Sequence, residues 1–270
     1  MAELDPVRVH YVEGFIRLSL WYVNKRLRET NDDVAEVVNT RVNFYRNTSL
    51  YDGKRHPASG DEDLEWNGVI AKLGKIFDQY SDDTRTVEEE GFAVLWPFIE
   101  PTCVKTKSES SRSDGRPYEC WTYDYHAKTR VAIHIGNVYQ PKSPLSDMLV
   151  QFAASLIRLL KDSQVRRPDV KEVQCGSWMN STPRFQMLFP KAWQDSAEPR
   201  PDIRYTMGSW GQFMDRTGRF HERNGALFRE TGELPYASTQ CYCTIEEALN
   251  HLESAFPEAV AHNNAIGYTT

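Results

Sequence analysis

The chain is most informative first in what it lacks. No uninterrupted run of about 18 apolar residues occurs, which argues against a membrane-spanning helix. Lys and Arg number 32 against 38 Asp and Glu, giving a formal charge of −6 and no basic field to gather nucleic acid or anionic lipid. Glycine-rich phosphate loops are missing: Gly208-Ser209-Trp210-Gly211 has neither Walker nor dinucleotide spacing, which disfavours a nucleotide cofactor. None of the 7 histidines falls into a His-x-x-x-His pair. The 5 cysteines are odd in number and scattered, so no disulfide framework is expected, and a reducing, cytoplasmic setting is. The opening "MAELDPVRVHYVEGF" has no basic patch leading into an apolar core, so it does not read as a secretory signal. There is no repeat of fixed period and no low-complexity tract.

What is present is ordinary globular material, 40% hydrophobic and 26% charged over 270 residues, enough for one large domain or two small ones. Residues 1–104 read as a helical subdomain. Asp5-Pro6 caps an amphipathic run in which Val9, Val12, Phe15, Ile16, Leu20 and Val23 recur at helical spacing. Further helical stretches follow at 31–50 and 63–80, and "VEEEGFAVLWPFIEP" is either a fourth helix ended by Pro97 or the entry to a strand. Residues 105–117 are polar and aperiodic, a linker or loop. From 118 to 270 the period changes. "YECWTYDYHAKTRVAIHIGN" predicts a hairpin turning near Ala127-Lys128, and "SPLSDMLVQFAASLIRLLKDS" a helix capped by Ser143 or Ser146. "DVKEVQCGS" and "YASTQCYCT" predict strands, and "DIRYTMGSWGQFMD" a strand or strand-loop. "HERNGALFRETGELP" reads as a helix with Gly232 at its end, and Thr244 with Glu247 forms a capping box for a closing helix. Alternating strands and helices predict an α+β or α/β fold: a helical N-terminal subdomain followed by a mixed sheet with flanking helices.

Few residues offer chemistry. His134 lies between Ile133 and Ile135 at a strand end, where an imidazole titrating near neutrality can serve as a general base. Structurally, it is equally the polar member of an alternating strand. Cys175 and Ser177 stand at another strand end as candidate nucleophiles, without a Gly-x-Ser-x-Gly elbow. Trp178, Asn180, Trp210 and Phe213 are candidates to line a substrate slot beside the two Gly-Ser-Trp sites, at 176–178 and 208–210. Asp215, Arg219 and His221, in "DRTGRFHER", form a charged cluster able to hold a phosphate or carboxylate, or else a solvated turn. No metal site is expected: Cys241 and Cys243 share a strand face, but no second ligand pair lies nearby, and two small thiols packed in a core is the simpler reading.

The order "AIHIGN", Ser-Pro-Leu opening a helix, "VQCGSWMNSTPRFQMLFP", then "DIRYTMGSWGQF" resembles the GNAT-like acyltransferases of actinobacterial type, over about 130–220. Those proteins pair a helical N-terminal domain with a GNAT-like domain carrying Ile/Leu-His-Ile-Pro and Cys-x-Ser-Trp-Leu. The matching positions are Ile133-His134-Ile135, with Gly136 for the proline, and Cys175-x-Ser177-Trp178, with Met179 for the leucine. The Arg/Gln-x-x-Gly-x-Gly/Ala pantetheine loop is not found. The resemblance implies transfer of an acyl group from a thioester, with acyl-CoA or an acyl carrier protein as co-substrate and no bound cofactor, to an amine or hydroxyl of a small molecule in specialised metabolism. His134 would be the base, backbone donors near Cys175 and Ser177 would hold the oxyanion, and Trp178, Trp210 and Phe213 would line the slot. A different small-molecule enzyme (cyclase, isomerase or hydrolase) and a non-catalytic binding protein stand as the other readings, and the sequence leaves the oligomeric state open.

Overall fold

The structure, a computed structural model, describes residues 3–104, 117–127 and 129–268. Most of the expected linker, 105–116, and Lys128 at the expected hairpin turn lie outside the described residues. In chain order the elements are α1 (Pro6–Glu29), α2 (Val34–Thr40), α3 (Leu64–Tyr80), α4 (Thr84–Ile99), β1 (Trp121–Ala127), β2 (Arg130–Ile135), α5 (Leu149–Arg166) and β3 (Glu172–Ser177). They continue with α6 (Pro183–Gln186), α7 (Lys191–Asp195), β4 (Glu198–Pro199), α8 (Met207–Trp210), α9 (Glu222–Thr231), β5 (Thr239–Thr244), α10 (Ile245–Ala255) and α11 (Pro257–Ala265). Helix and a five-stranded mixed sheet make the fold α+β.

The chain divides into two compact units, Met1–Thr106 with Asp202–Pro235, and Lys107–Pro201 with Tyr236–Thr270. The first is helical. Asp5 accepts from the Val7 N–H and Pro6 sits in the first turn, so α1 starts where the sequence predicts. Its apolar stripe buries Val12, Phe15, Ile16 and Val23. Against it pack Trp210, Phe213 and Phe228, with the Trp210 ring edge-on to Phe15 and Tyr22 at centroid distances of 5.4 and 5.6 Å. Trp210 is fully buried, and its indole N–H donates to the Arg41 carbonyl at 2.7 Å. Everything after 118 was expected in one α/β domain; the segment Asp202–Pro235 instead completes the helical unit, because its aromatic side chains fill the space beside α1. The expected strand at 202–215 is likewise replaced by α8 and a 3-10 turn over Gly211–Phe213.

The second unit is built on the sheet, in the order β1-β2-β3-β5-β4. β1 and β2 form the predicted hairpin, β2 and β3 run parallel with α5 between them in sequence, and β3, β5 and β4 pair antiparallel. Alternation buries Val131, Ile133, Val173, Cys175, Cys241 and Cys243 in one cluster with Phe152, Leu156 and Leu159 of α5 and Leu252 of α10. The opposite sheet face is polar. α5 begins at Leu149 with no side-chain cap at Met148, not at Ser143 or Ser146; Pro144 disfavours helix at Ser143, whose N–H donates to Asp147 Oδ2 in a turn instead. The predicted Thr244–Glu247 capping box is formed.

Candidate functional site

The even-numbered residues of β2 and β3 face the polar side of the sheet; of them Ala132 is buried, His134 is exposed and the rest are half-buried. His134 is the outermost of them in β2, with a side chain 55% exposed. In β1, Thr122 pairs with His134 and Asp124 with Ala132, so Asp124 is the diagonal neighbour of His134 on the same face. The small Ala132 side chain leaves room between them, and His134 Nε2 meets Asp124 Oδ2 at 2.6 Å. In the neutral ring, a carboxylate on Nε2 favours the tautomer with its proton there and the lone pair on Nδ1.

His134 also stands where the sheet opens. β2 and β3 pair from Arg130↔Glu172 to Ala132↔Gln174 and then stop, although each strand runs three residues further. Beyond that point β2 pairs with β1 alone and β3 with β5 alone. The Gly136 N–H bonds to the Cys120 carbonyl at 2.9 Å, so even-numbered residues of β2 direct their backbone groups toward β1. By alternation, Ile133 and Ile135 direct theirs toward β3: the Ile133 N–H closes the last pair on the Gln174 carbonyl, and the groups beyond it, from the Ile133 carbonyl to Ile135, enter a fork with no ladder partner.

Cys175 and Ser177 occupy the other side of the sheet. Cys175 is 3% exposed and packs in the core; burial, with Cys241 beside it, pushes its thiol up to about 12. Ser177 is buried, and its Oγ accepts from the Met179 N–H at 3.1 Å, capping the 3-10 turn that follows. Strand alternation therefore separates both from His134, and the three candidates do not converge. Cys241 and Cys243 are core thiols as well.

The candidate binding residues divide in the same way. Trp178 is half-buried, its ring 5.6 Å from that of Tyr236. Asn180 is buried and committed: its amide donates to the Cys175 and Thr239 carbonyls at 2.9 Å each, and its carbonyl accepts from the Trp193 indole at 3.1 Å. Trp210 and Phe213 have no exposed surface and belong to the helical unit, so they are core residues there and not walls beside His134. Asp215 and His221 also serve local structure. Asp215 Oδ1 accepts from Thr217 and Arg219 backbone N–H groups in a tight turn, and His221 Nδ1 accepts from the Asn224 N–H at the start of α9. The Arg219 side chain is exposed.

Two residues of the polar face escaped sequence reasoning. Asp124 was legible in principle, since hairpin alternation places it on the face of His134. Arg200 carried no signal at all; its position depends on β4 joining β5. Among the described residues, no group of three or more His, Cys, Asp and Glu is placed to hold a metal ion, and no helix is long and apolar enough to cross a membrane. In comparisons with known proteins, no family model, no curated protein and no solved structure matches the chain.

Proposed function

We propose that this protein is an acyltransferase that moves an acyl group from a thioester donor to an amine or hydroxyl of a small molecule, with His134 as general base. The observation that carries the reading is the Asp124–His134 pair on the polar sheet face at the point where the parallel strands part. The sequence resemblance to GNAT-like acyltransferases supports it from an independent side. As the acceptor nitrogen attacks the thioester carbonyl, a new N–C bond forms and the amine proton passes to Nδ1 of His134. Asp124 stabilises the imidazolium. Collapse of the tetrahedral intermediate breaks the C–S bond, and the same proton goes to the departing sulfur. Backbone N–H groups lining the fork are donors for the oxyanion.

The fork also suits the donor. Acyl-CoA and acyl carrier proteins present their thioester on the same pantetheine arm, an extended chain with two peptide-like amides. Such a chain can add to unpaired strand edges as a further strand does. Cys175 and Ser177 have no part in this scheme, so transfer is direct rather than through an acyl-enzyme. A cytoplasmic setting, in which five unbridged cysteines stay reduced, fits the same reading.

The test is acyl transfer from a panel of acyl-CoA and carrier-bound thioesters to mixed amines and alcohols, with products followed by mass. His134→Ala should lower turnover by at least about a hundredfold. An unchanged rate in that variant would remove His134 from the mechanism.

A further inference from the structure

On the polar face of the sheet, one cation among the described residues stands in no ion pair, with the Glu198 carboxylate on the same face but outside ion-pair distance. Arg130 pairs with Glu172 and lies over the Tyr242 ring, and His134 is held by Asp124. Arg200, just after β4, has no carboxylate within ion-pair distance among the described residues. Its backbone N–H donates to the Ser238 carbonyl at 2.9 Å, which fixes it beside β5. Its side chain reaches across to β3. A Cβ added to Gly176 would meet Arg200 Nη1 at 2.2 Å and Gln240 Oε1 at 2.7 Å, so the guanidinium occupies the space a side chain at 176 would need. Gly176 has no unusual φ, and its lack of a Cβ therefore serves the approach of Arg200 rather than a backbone turn.

The position is as informative as the charge. Gly176 is two residues past Gln174, and His134 two past Ala132, the last paired residues of β3 and β2. His134 and Gly176 thus flank the fork at the same level on the same face. The strands have parted there, so the separation exceeds the roughly 5 Å of paired strands. A base on one side and a guanidinium on the other define the ends of a small bifunctional molecule.

We propose that Arg200 selects the acceptor by binding its carboxylate, and that the acceptor is an amino acid or a similar molecule whose amine is delivered to His134. The proposal rests on the acyl-transfer reading above. A guanidinium takes a carboxylate through two parallel hydrogen bonds, which orients the acceptor as well as holding it. Arg200 forms and breaks no covalent bond in the step; the amine proton still travels to His134 and then to sulfur. The donor's phosphates are the other source of an oxyanion. They are separated from the thioester by the whole pantetheine arm, whereas Arg200 stands level with the base.

Two experiments test this on the full chain. In the first, binding of a pool of N-acetylated amino acids and of their methyl esters is followed by ligand-observed NMR, without any thioester. The wild type should bind acids in preference to esters, and Arg200→Gln should reduce that preference about tenfold or more. Gly176→Ala, which keeps the charge but displaces the guanidinium, should reduce it too. In the second, acyl transfer to amino acids is compared with transfer to the corresponding amino-acid amides, and the acid-over-amide ratio should fall in both variants. Thermal unfolding establishes that each variant is folded. Equal binding of acids and esters by the wild type overturns the proposal. So does an unaltered acid preference in Arg200→Gln, or a loss in that variant that instead tracks removal of the donor's phosphates. If acids bind through Arg200 but no thioester is consumed, the carboxylate site stands and the acyl-transfer reading fails.

Discussion

A side chain's chemistry is set by its surroundings before its type. Cys175 is a nucleophile by type, yet burial raises its thiol to about 12, and Cys243 is pushed to a similar value, first by burial and then by Glu247. At neutral pH both are thiols with no route to a reagent. All five cysteines are buried and unbridged. The native protein should therefore take up almost no maleimide over minutes and five equivalents after unfolding; prompt labelling of native protein would contradict the burial. His56 shows the same effect in an imidazole. It is 3% exposed, stacked on Tyr205 at 4.3 Å and edge-on to Tyr45 and Tyr51. Nδ1 accepts from the Ala58 N–H at 3.1 Å. Burial, and then the Arg46 charge, lower its pKa to about 4, against a smaller opposing pull from Asp61. Because the folded pKa lies below the unfolded one, the unfolded chain binds more protons between about 4 and 6.5, and stability falls as pH drops through that window. The loss reaches about 3 kcal/mol by its lower end. Urea midpoints between pH 7 and 4.5 should fall more steeply for the wild type than for His56→Gln, and parallel curves would refute this.

At the level of elements, legibility followed the strength of local signals. α1, α9 and α10 are where their caps place them: Asp5 with Pro6, Gly232 in the left-handed region at φ 74°, and the Thr244–Glu247 box. The β1–β2 hairpin was plain from alternation, and with it the exposure of His134. The segment around Trp210 was not. "YTMGSWGQF" has weak helical propensity and a strand-like look, yet it folds as α8 and a 3-10 turn because Trp210 bonds Arg41, 169 positions earlier, and packs on Phe15. Only a distant partner could settle that choice. The fork between β2 and β3 was equally invisible, since it is a matter of which strands stop pairing, not of what each strand contains. The two Gly-Ser-Trp sites, alike in sequence, accordingly fall to different ends: one closes β3 with a glycine that admits Arg200, the other lies in a helical turn with its Trp in a core.

At the scale of the molecule, each unit is assembled from two separated stretches of chain. The helical unit draws Trp210, Phe213 and Phe228 from beyond residue 200, and they pack in the same cluster as Phe15 and Tyr22. A fragment of residues 1–104 would expose that aromatic surface and should show no cooperative unfolding transition, whereas the same fragment joined by a short linker to 202–235 should regain one; calorimetry compares the two. Cooperative melting of 1–104 alone would mean that the later segment is dispensable. The sequence by itself determined the mix of helix and sheet, the ends of the best-capped helices, the hairpin and the outward face of His134, because caps and periodicity act within a few residues. The tertiary structure alone decided that Asp124 holds His134, that Cys175 and Ser177 lie behind the sheet, that Arg200 rests over Gly176, and that 202–235 belongs to the helical unit. Those facts depend on strand register and on packing between residues far apart in the chain, where local preference is weaker than the burial of a single tryptophan.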